Sequence, residues 1–227
     1  MIKNILNLGD AAVYCDFGED VNEEINSNVI SYFDIISKLI KSKEIKGILN
    51  LTPSYNKLIV NFDLSITKYS EVKKVIEELR IDTQKKVSSN NIKIPVCVDN
   101  KFGLDYERLT KITNQSKEEI LELFFQKEYF CYMTGFIAGM PFLGDINKKI
   151  RCERLETPRL KVPKGSVGLT QQFTNIYTSD SPGGWNIIGN TPLKVFDSKN
   201  ENKPNLISPG DKVNFYEISK EEYDSWK

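Results

Sequence analysis

The sequence predicts an α+β protein in two parts: an N-terminal sheet with helices on one face, then a C-terminal β-barrel or sandwich. Three observations predict it. Apolar runs and helical stripes follow one another as β-β-α-β-β-α through the first 85 or so residues. A polar stretch at residues 85–91 (KKVSSNN) then breaks the pattern and is the best linker candidate. Beyond Tyr129 the texture changes, with eight of the 13 glycines and five of the nine prolines between residues 135 and 192. Such punctuation suits short strands and tight turns. The expected domains are residues 1–88 and 89–227.

Each element has its own signal. Residues 2–8 and 11–17 are apolar runs around Gly9-Asp10, a turn pair that predicts a hairpin. Asp20 precedes a helical stripe of Val21, Ile25, Val29, Phe33, Ile36 and Ile40, with Glu23 spaced as its reciprocal capping acid. Residues 48–51 and 58–62 read as strands around a turn containing Pro53, and Tyr69, Val72, Ile76 and Leu79 fall in helical register. Residues 92–98 read as a strand, placed at an edge by Pro95. Helices follow at 106–113 and from Ser116, where Glu119 completes a capping box. Further strands are expected at 167–170, 186–188, 193–196 and 212–216.

Composition removes several function classes. The chain has 227 residues, 31 Lys+Arg against 31 Asp+Glu, and no histidine. A Ser-His-Asp triad, a Cys-His pair and a His-ligated zinc are therefore excluded, and proton chemistry falls to carboxylates, Lys, Tyr, Cys or a partner. Zero net charge argues against nucleic acid or an anionic membrane as the main partner. Cys15, Cys97, Cys131 and Cys152 are scattered without a CxxC pair, as expected of reduced, buried thiols. The first residues lack a long apolar stretch with a cleavage site, and uncharged residues 129–144 are too short to span a bilayer. A cytoplasmic location is expected.

Three segments could carry chemistry. Residues 148–164 hold seven basic and two acidic residues, including Arg151, Arg154 and Arg159. Arginine forks suit carboxylate or phosphate, although a solvated basic loop is the plainer reading of the stretch. Arg159 stands out because Pro158 and Pro163 restrict its backbone. In Ser181-Pro182-Gly183-Gly184-Trp185, paired glycines allow φ > 0 and N–H groups facing an anion, and Trp185 offers a stacking face or core anchor. A plain tight turn explains the same residues. Residues 135–144 (GFIAGMPFLG) match neither a Walker A loop nor a dinucleotide fingerprint, and read as a buried hairpin or a wall of an apolar pocket.

An ordered set of motifs goes further. Gly135-Phe136, Met140-Pro141-Phe142-Leu143-Gly144, Pro158-Arg159-Leu160, Val162-Pro163, Gly165-Ser166-Val167-Gly168, Ser181-Pro182-Gly183-Gly184-Trp185, Ile188-Gly189, Thr191-Pro192 and Phe196-Asp197 occur in that order. Gly9-Asp10, Ile94-Pro95-Val96 and Pro209-Gly210-Asp211 extend the likeness over the whole chain. The sequence resembles the family of the 5-oxoprolinase B subunit and the antikinase KipI, also called allophanate hydrolase subunit 1. The resemblance implies a ferredoxin-like N-terminal domain joined to a cyclophilin-like β-barrel. It implies a subunit, inactive alone, that joins a biotin-carboxyltransferase-like C subunit and an A subunit in ATP-dependent opening of 5-oxoproline to L-glutamate. ATP, with Mg²⁺, would be shared with the partner, and no metal is expected on this chain itself. Cations and backbone donors around phosphate oxygens would stabilise lactam activation. Arg159, Lys161, Lys164 and Ser166 have suitable chemistry, and Phe136, Pro141, Thr174, Ser181, Gly183, Gly184, Trp185 and Thr191 are the expected ligand-binding residues.

The chain departs from the family pattern at four places. Phe124 stands where relatives usually have His, and Ala138-Gly139-Met140-Pro141-Phe142 replaces Pro-Gly-Phe-Pro-Tyr. Lys164 replaces Ala, and residues 170–175 (TQQFTN) replace a Gly-rich stretch followed by Gln-Thr-Gly. Two alternatives to the enzyme subunit remain open. One is a KipI-type module docking on a sensor histidine kinase; the other is a carboxyltransferase-like subunit of an allophanate or urea amidolyase system.

Overall fold

A computed structural model describes residues 1–81 and 89–226. The chain forms two compact units, Met1–Ser88 and Ser89–Lys227. Most of the linker candidate at 85–91 lies outside the described residues, and its last member, Asn91, already begins a strand.

The first unit contains β1 (Asn4–Leu8), β2 (Ala12–Asp16), α1 (Glu23–Lys41), β3 (Ile48–Pro53), β4 (Lys57–Phe62) and α2 (Tyr69–Glu78). Its antiparallel sheet runs β1-β2-β4-β3. This is the ferredoxin-like sheet order with the last strand moved to the front of the chain, so a hairpin opens the unit. Gly9, at φ +60, makes that tight turn. One face of the sheet, through Val13, Cys15, Leu58, Val60 and Phe62, packs on Val29 and Ile36 of α1 and Val72 and Ile76 of α2. The expected cap shifts by two residues: Asn22, not Asp20, caps α1, its Oδ1 accepting the Ile25 N–H at 2.9 Å. Asp20 is still outside the helix because the Asn56 amide holds the carbonyls of Gly18, Glu19 and Asp20.

The second unit contains β5 (Asn91–Cys97), α3 (Tyr106–Thr113), α4 (Lys117–Phe125), β6 (Glu128–Thr134), β7 (Pro141–Gly144), β8 (Arg159–Val162), β9 (Ser166–Thr170), β10 (Phe173–Ile176), β11 (Ser181–Gly183), β12 (Asn186–Asn190), β13 (Lys212–Ile218) and α5 (Lys220–Ser225). Seven strands close a barrel in the order β10-β7-β6-β13-β5-β12-β9, and β8 and β11 form a separate two-stranded ribbon. Closure depends on a parallel pairing of β5 with β13, from Asn91↔Lys212 to Cys97↔Ile218. The Asp211 carboxylate clamps this seam, accepting both the backbone and side-chain N–H of Asn90 at 2.9 Å across 121 residues.

Two strand expectations change. Pro95 is not on an edge, since β5 lies between β13 and β12. It is tolerated because Asn190↔Cys97 is the one register pair joining β5 to β12, leaving few ladder bonds for a missing N–H to cost. Residues 193–196 form no strand and contribute one isolated bridge, Phe196↔Asn205. Pro204 accepts the Asp197 N–H through its carbonyl but has no N–H to return the bond.

Alternation along four wall strands builds two cores. Leu143, Val167, Leu169, Ile176 and Ile188 point into the barrel and join Leu109, Ile120 and Phe124 from α3 and α4. Phe142, Phe173 and Ile187, on the other face, join Met140, Val162, Tyr177 and Trp185 in a smaller cluster beside the ribbon. Fully burying such side chains is worth about 1.5–3 kcal/mol each.

Candidate functional site

The ribbon carries the sequence-predicted centre. Pro158 and Pro163 bracket β8, and Arg159 pairs across the ribbon with Gly183. A Cβ at Gly183 would lie 2.3 Å from the Tyr177 hydroxyl oxygen, so only glycine lets the ribbon approach this closely. The paired glycines do not adopt φ > 0, and the expected anion-facing turn is instead strand and close packing. The Gly184 carbonyl accepts the Leu155 N–H at 2.7 Å.

Arg159 is braced. Its Nη2 lies 2.6 Å from Oδ1 of Asp105, which is 5% exposed and directly precedes α3. The other oxygen, Oδ2, accepts the Ile187 N–H at 2.6 Å, so one carboxylate ties the guanidinium to β12. Arg159 Nη1 is buried without a hydrogen-bond partner. A charge-assisted pair of this kind fixes a side chain firmly. Trp185 is buried, edge-on to Phe142 at 5.6 Å between ring centres. Burial pushes the Tyr177 phenol up, with Asn175, the Trp185 backbone, Arg154 and Arg159 pulling it partly back.

The other predicted residues separate into groups. Lys161 Nζ pairs with Asp180 Oδ2 at 2.7 Å, and the Lys164 N–H donates to Asp180 Oδ1 at 2.8 Å. Those contacts hold the Asp180 carboxyl below its usual range. Ser166 is buried at the start of β9, with the Thr191 N–H donating to the neighbouring Gly165 carbonyl. Ser181 starts β11, its hydroxyl donating to the Pro182 carbonyl at 3.3 Å. Thr174 is fully buried and its Oγ1 has no partner. Pro141 is buried opposite Thr134 in the β6–β7 hairpin, whereas Phe136 at its tip is 68% exposed at φ +69. The hairpin expected at 135–144 is present, but its tip is open to solvent.

Phe124, where the family resemblance leads to an expected His, lies in the barrel core against Tyr129 and Phe215, with ring centres 5.3 and 4.9 Å away. Sequence reasoning missed Asp105, Tyr177 and Asn186. Asp105 and Arg159 are 54 residues apart, and nothing local marks the pairing. All four cysteines are free and buried, and burial pushes the Cys15 and Cys152 thiols up to about 12, so neither is an activated nucleophile. Among the described residues no group of three His, Cys, Asp or Glu could hold a metal ion, and no helix is long and apolar enough to cross a membrane.

Known proteins share this arrangement of barrel and ribbon. Residues 3–207 match the family described as carboxyltransferase domain, subdomain C and D. The chain is 35% identical to the 5-oxoprolinase B subunit of Bacillus subtilis, over 98% of this chain and 96% of that one. It is 31% identical to the 5-oxoprolinase B subunit of Haemophilus influenzae, over 93% and 96%. The solved structure of TTHA0988 superposes with a TM-score of 0.80 at 29% identity, covering 92% of this chain and 40% of that one. An end-to-end match above 30% identity reaches beyond the barrel to the ribbon and the N-terminal unit, and the chain belongs to the carboxyltransferase subdomain C and D family, within it to the 5-oxoprolinase B subunits.

Proposed function

We propose that this chain is the B subunit of a multi-protein 5-oxoprolinase, a cytoplasmic hydrolase that opens 5-oxoproline to L-glutamate with ATP. It works with an A subunit and a biotin-carboxyltransferase-like C subunit, and is inactive alone. The observation that carries the reading is the near-complete overlap with the Bacillus subtilis B subunit, 98% of one chain on 96% of the other.

The ribbon supports it chemically. Opening a lactam needs its carbonyl made electrophilic, and bound ATP supplies the phosphoryl group for that. Among this chain's residues, the braced Arg159, with Nη1 unpartnered, fits an oxyanion best. Lys161 and Lys164 add positive charge further along the ribbon and its turn, where Asp180 offsets part of it. Mg²⁺ is assigned to the nucleotide and the partner subunit.

Reconstitution with A and C subunits tests the proposal. ATP- and 5-oxoproline-dependent glutamate is expected from the full mixture and none from this chain alone. No glutamate from the mixture would overturn the function. Replacing Arg159→Lys, which keeps a charge for Asp105 but loses the fork, is expected to cut turnover roughly 100-fold. Unchanged turnover in a variant with wild-type melting would remove Arg159 from the site while leaving the subunit assignment intact.

A further inference from the structure

A cleft of about 490 Å³ lies between α3, the segment after residue 150 and the β9–β10 turn. Arg108, Ile112, Arg151, Glu153, Gln171 and Gln172 line it. Arg108 is fixed in place, with Nε donating to Asn186 Oδ1 at 3.0 Å and Nη2 to the Arg154 carbonyl at 3.3 Å. Asn186 is itself fully buried, and its Nδ2 donates to the carbonyls of Glu153 at 2.9 Å and Leu169 at 3.2 Å. This buried amide locks the arginine to the cleft floor. Arg151 reaches only the Ile146 carbonyl, at 3.5 Å. The opposite wall is also anchored: the Gln171 N–H donates to the Cys152 carbonyl at 2.5 Å with Gln171 at φ +47, and the Gln172 amide donates to Asp145 at 3.0 Å. Neither Arg108, Arg151 nor Glu153 has an ion-pair partner among the described residues, where Arg159 is the arginine that does.

We infer that this cleft binds a small acidic α-amino acid. Two guanidinium groups match two carboxylates, and the Glu153 carboxylate matches the ammonium. Together the three side chains leave one net positive charge, which an acidic amino acid, with two carboxylates and one ammonium, cancels. Ile112 gives the ligand's methylene groups an apolar wall, and the glutamines supply donors and acceptors at the rim. The volume suits a metabolite of this size. Binding here requires no part of the 5-oxoprolinase reading; if that reading holds, the ligand belongs to the class of its product.

Calorimetric titration of the chain alone tests it, without reference to turnover. L-glutamate is expected to bind, and Arg151→Ala to weaken binding at least tenfold with the melting temperature unchanged. Glu153→Gln is expected to weaken L-glutamate about tenfold but not glutarate, which has both carboxylates and no ammonium. Absence of binding at millimolar L-glutamate would overturn the inference. So would equal weakening of glutarate by Glu153→Gln, or equal affinity for inorganic phosphate, which would mark a general anion patch.

Discussion

On the inner face of β7, β9, β10 and β12 stand Leu143, Val167, Leu169, Ile176 and Ile188, apolar and sealed from solvent. On the outer face of the same strands stand Phe142, Gly168, Asn175 and Ile187, beside a ribbon that carries Arg159. One period-2 pattern writes both faces: the inner one is mostly apolar but takes in Thr174 and Asn186, the register partners of Leu169, while the outer one carries Asn175 beside the ribbon. The inner face gains chiefly from water exclusion, while the ribbon beside the outer face keeps Arg159 Nη1 without a hydrogen-bond partner.

The largest effect is expected on the inner face. Leu169→Ala should cost about 3–5 kcal/mol in denaturant unfolding, through lost burial and a cavity that rigid strands cannot close. Phe124→His should cost about 2–4 kcal/mol, because an imidazole among Tyr129 and Phe215 brings a polar nitrogen with no partner. Gain of turnover by that variant in the reconstituted complex would instead give the position a catalytic part. On the outer face, Asp105→Asn should cost about 2 kcal/mol, less than a fully buried pair because the Arg159 side chain is 26% exposed, and should depress turnover more than stability. A smaller effect comes from pH. The Cys15 and Cys152 thiols are raised from 9.0 to about 12, so the folded state holds their protons more tightly than the unfolded chain. That stabilisation is complete below pH 9 and should fade as pH rises from 9 toward 12, seen as a falling melting temperature. At about pH 8, below the usual thiol range, a thiol-specific disulfide reagent should leave the native protein unlabelled and react with four thiols on unfolding. Last, Lys161→Ala, which removes an exposed pair with Asp180, should leave the unfolding midpoint unmoved.

What the sequence makes legible follows the range of each signal. The helix after Ser116 is readable because its capping box lies within four residues, and the structure shows both halves of it. The bounds expected for α3, 106–113, agree with the structure, where Asn114 in the left-handed region ends the helix. The strands β6, β8, β10 and β11 escape such a reading, since runs of three to seven residues look the same as loops without their pairing partners. Arg159 can be singled out from its flanking prolines, but its brace cannot, because Asp105 and Ile187 are 82 residues apart in the chain. The paired glycines mislead for a related reason. Gly183 is needed for its missing Cβ against Tyr177, a packing demand that sequence cannot tell from a demand for positive φ.

The parallel seam between β5 and β13 also has a consequence in time. The first and last strands of the barrel must meet across 121 residues, so no shorter stretch of the unit can close on itself. Long-range parallel pairing is slow to form, because loop-closure entropy is lost before any contact rewards it. Until β13 arrives, β5 and β6 each present an open edge, the state most exposed to pairing with another chain. During synthesis the unit therefore waits for its final strand, and Asp211, gripping Asn90 at the head of that seam, is the latch that ends the wait.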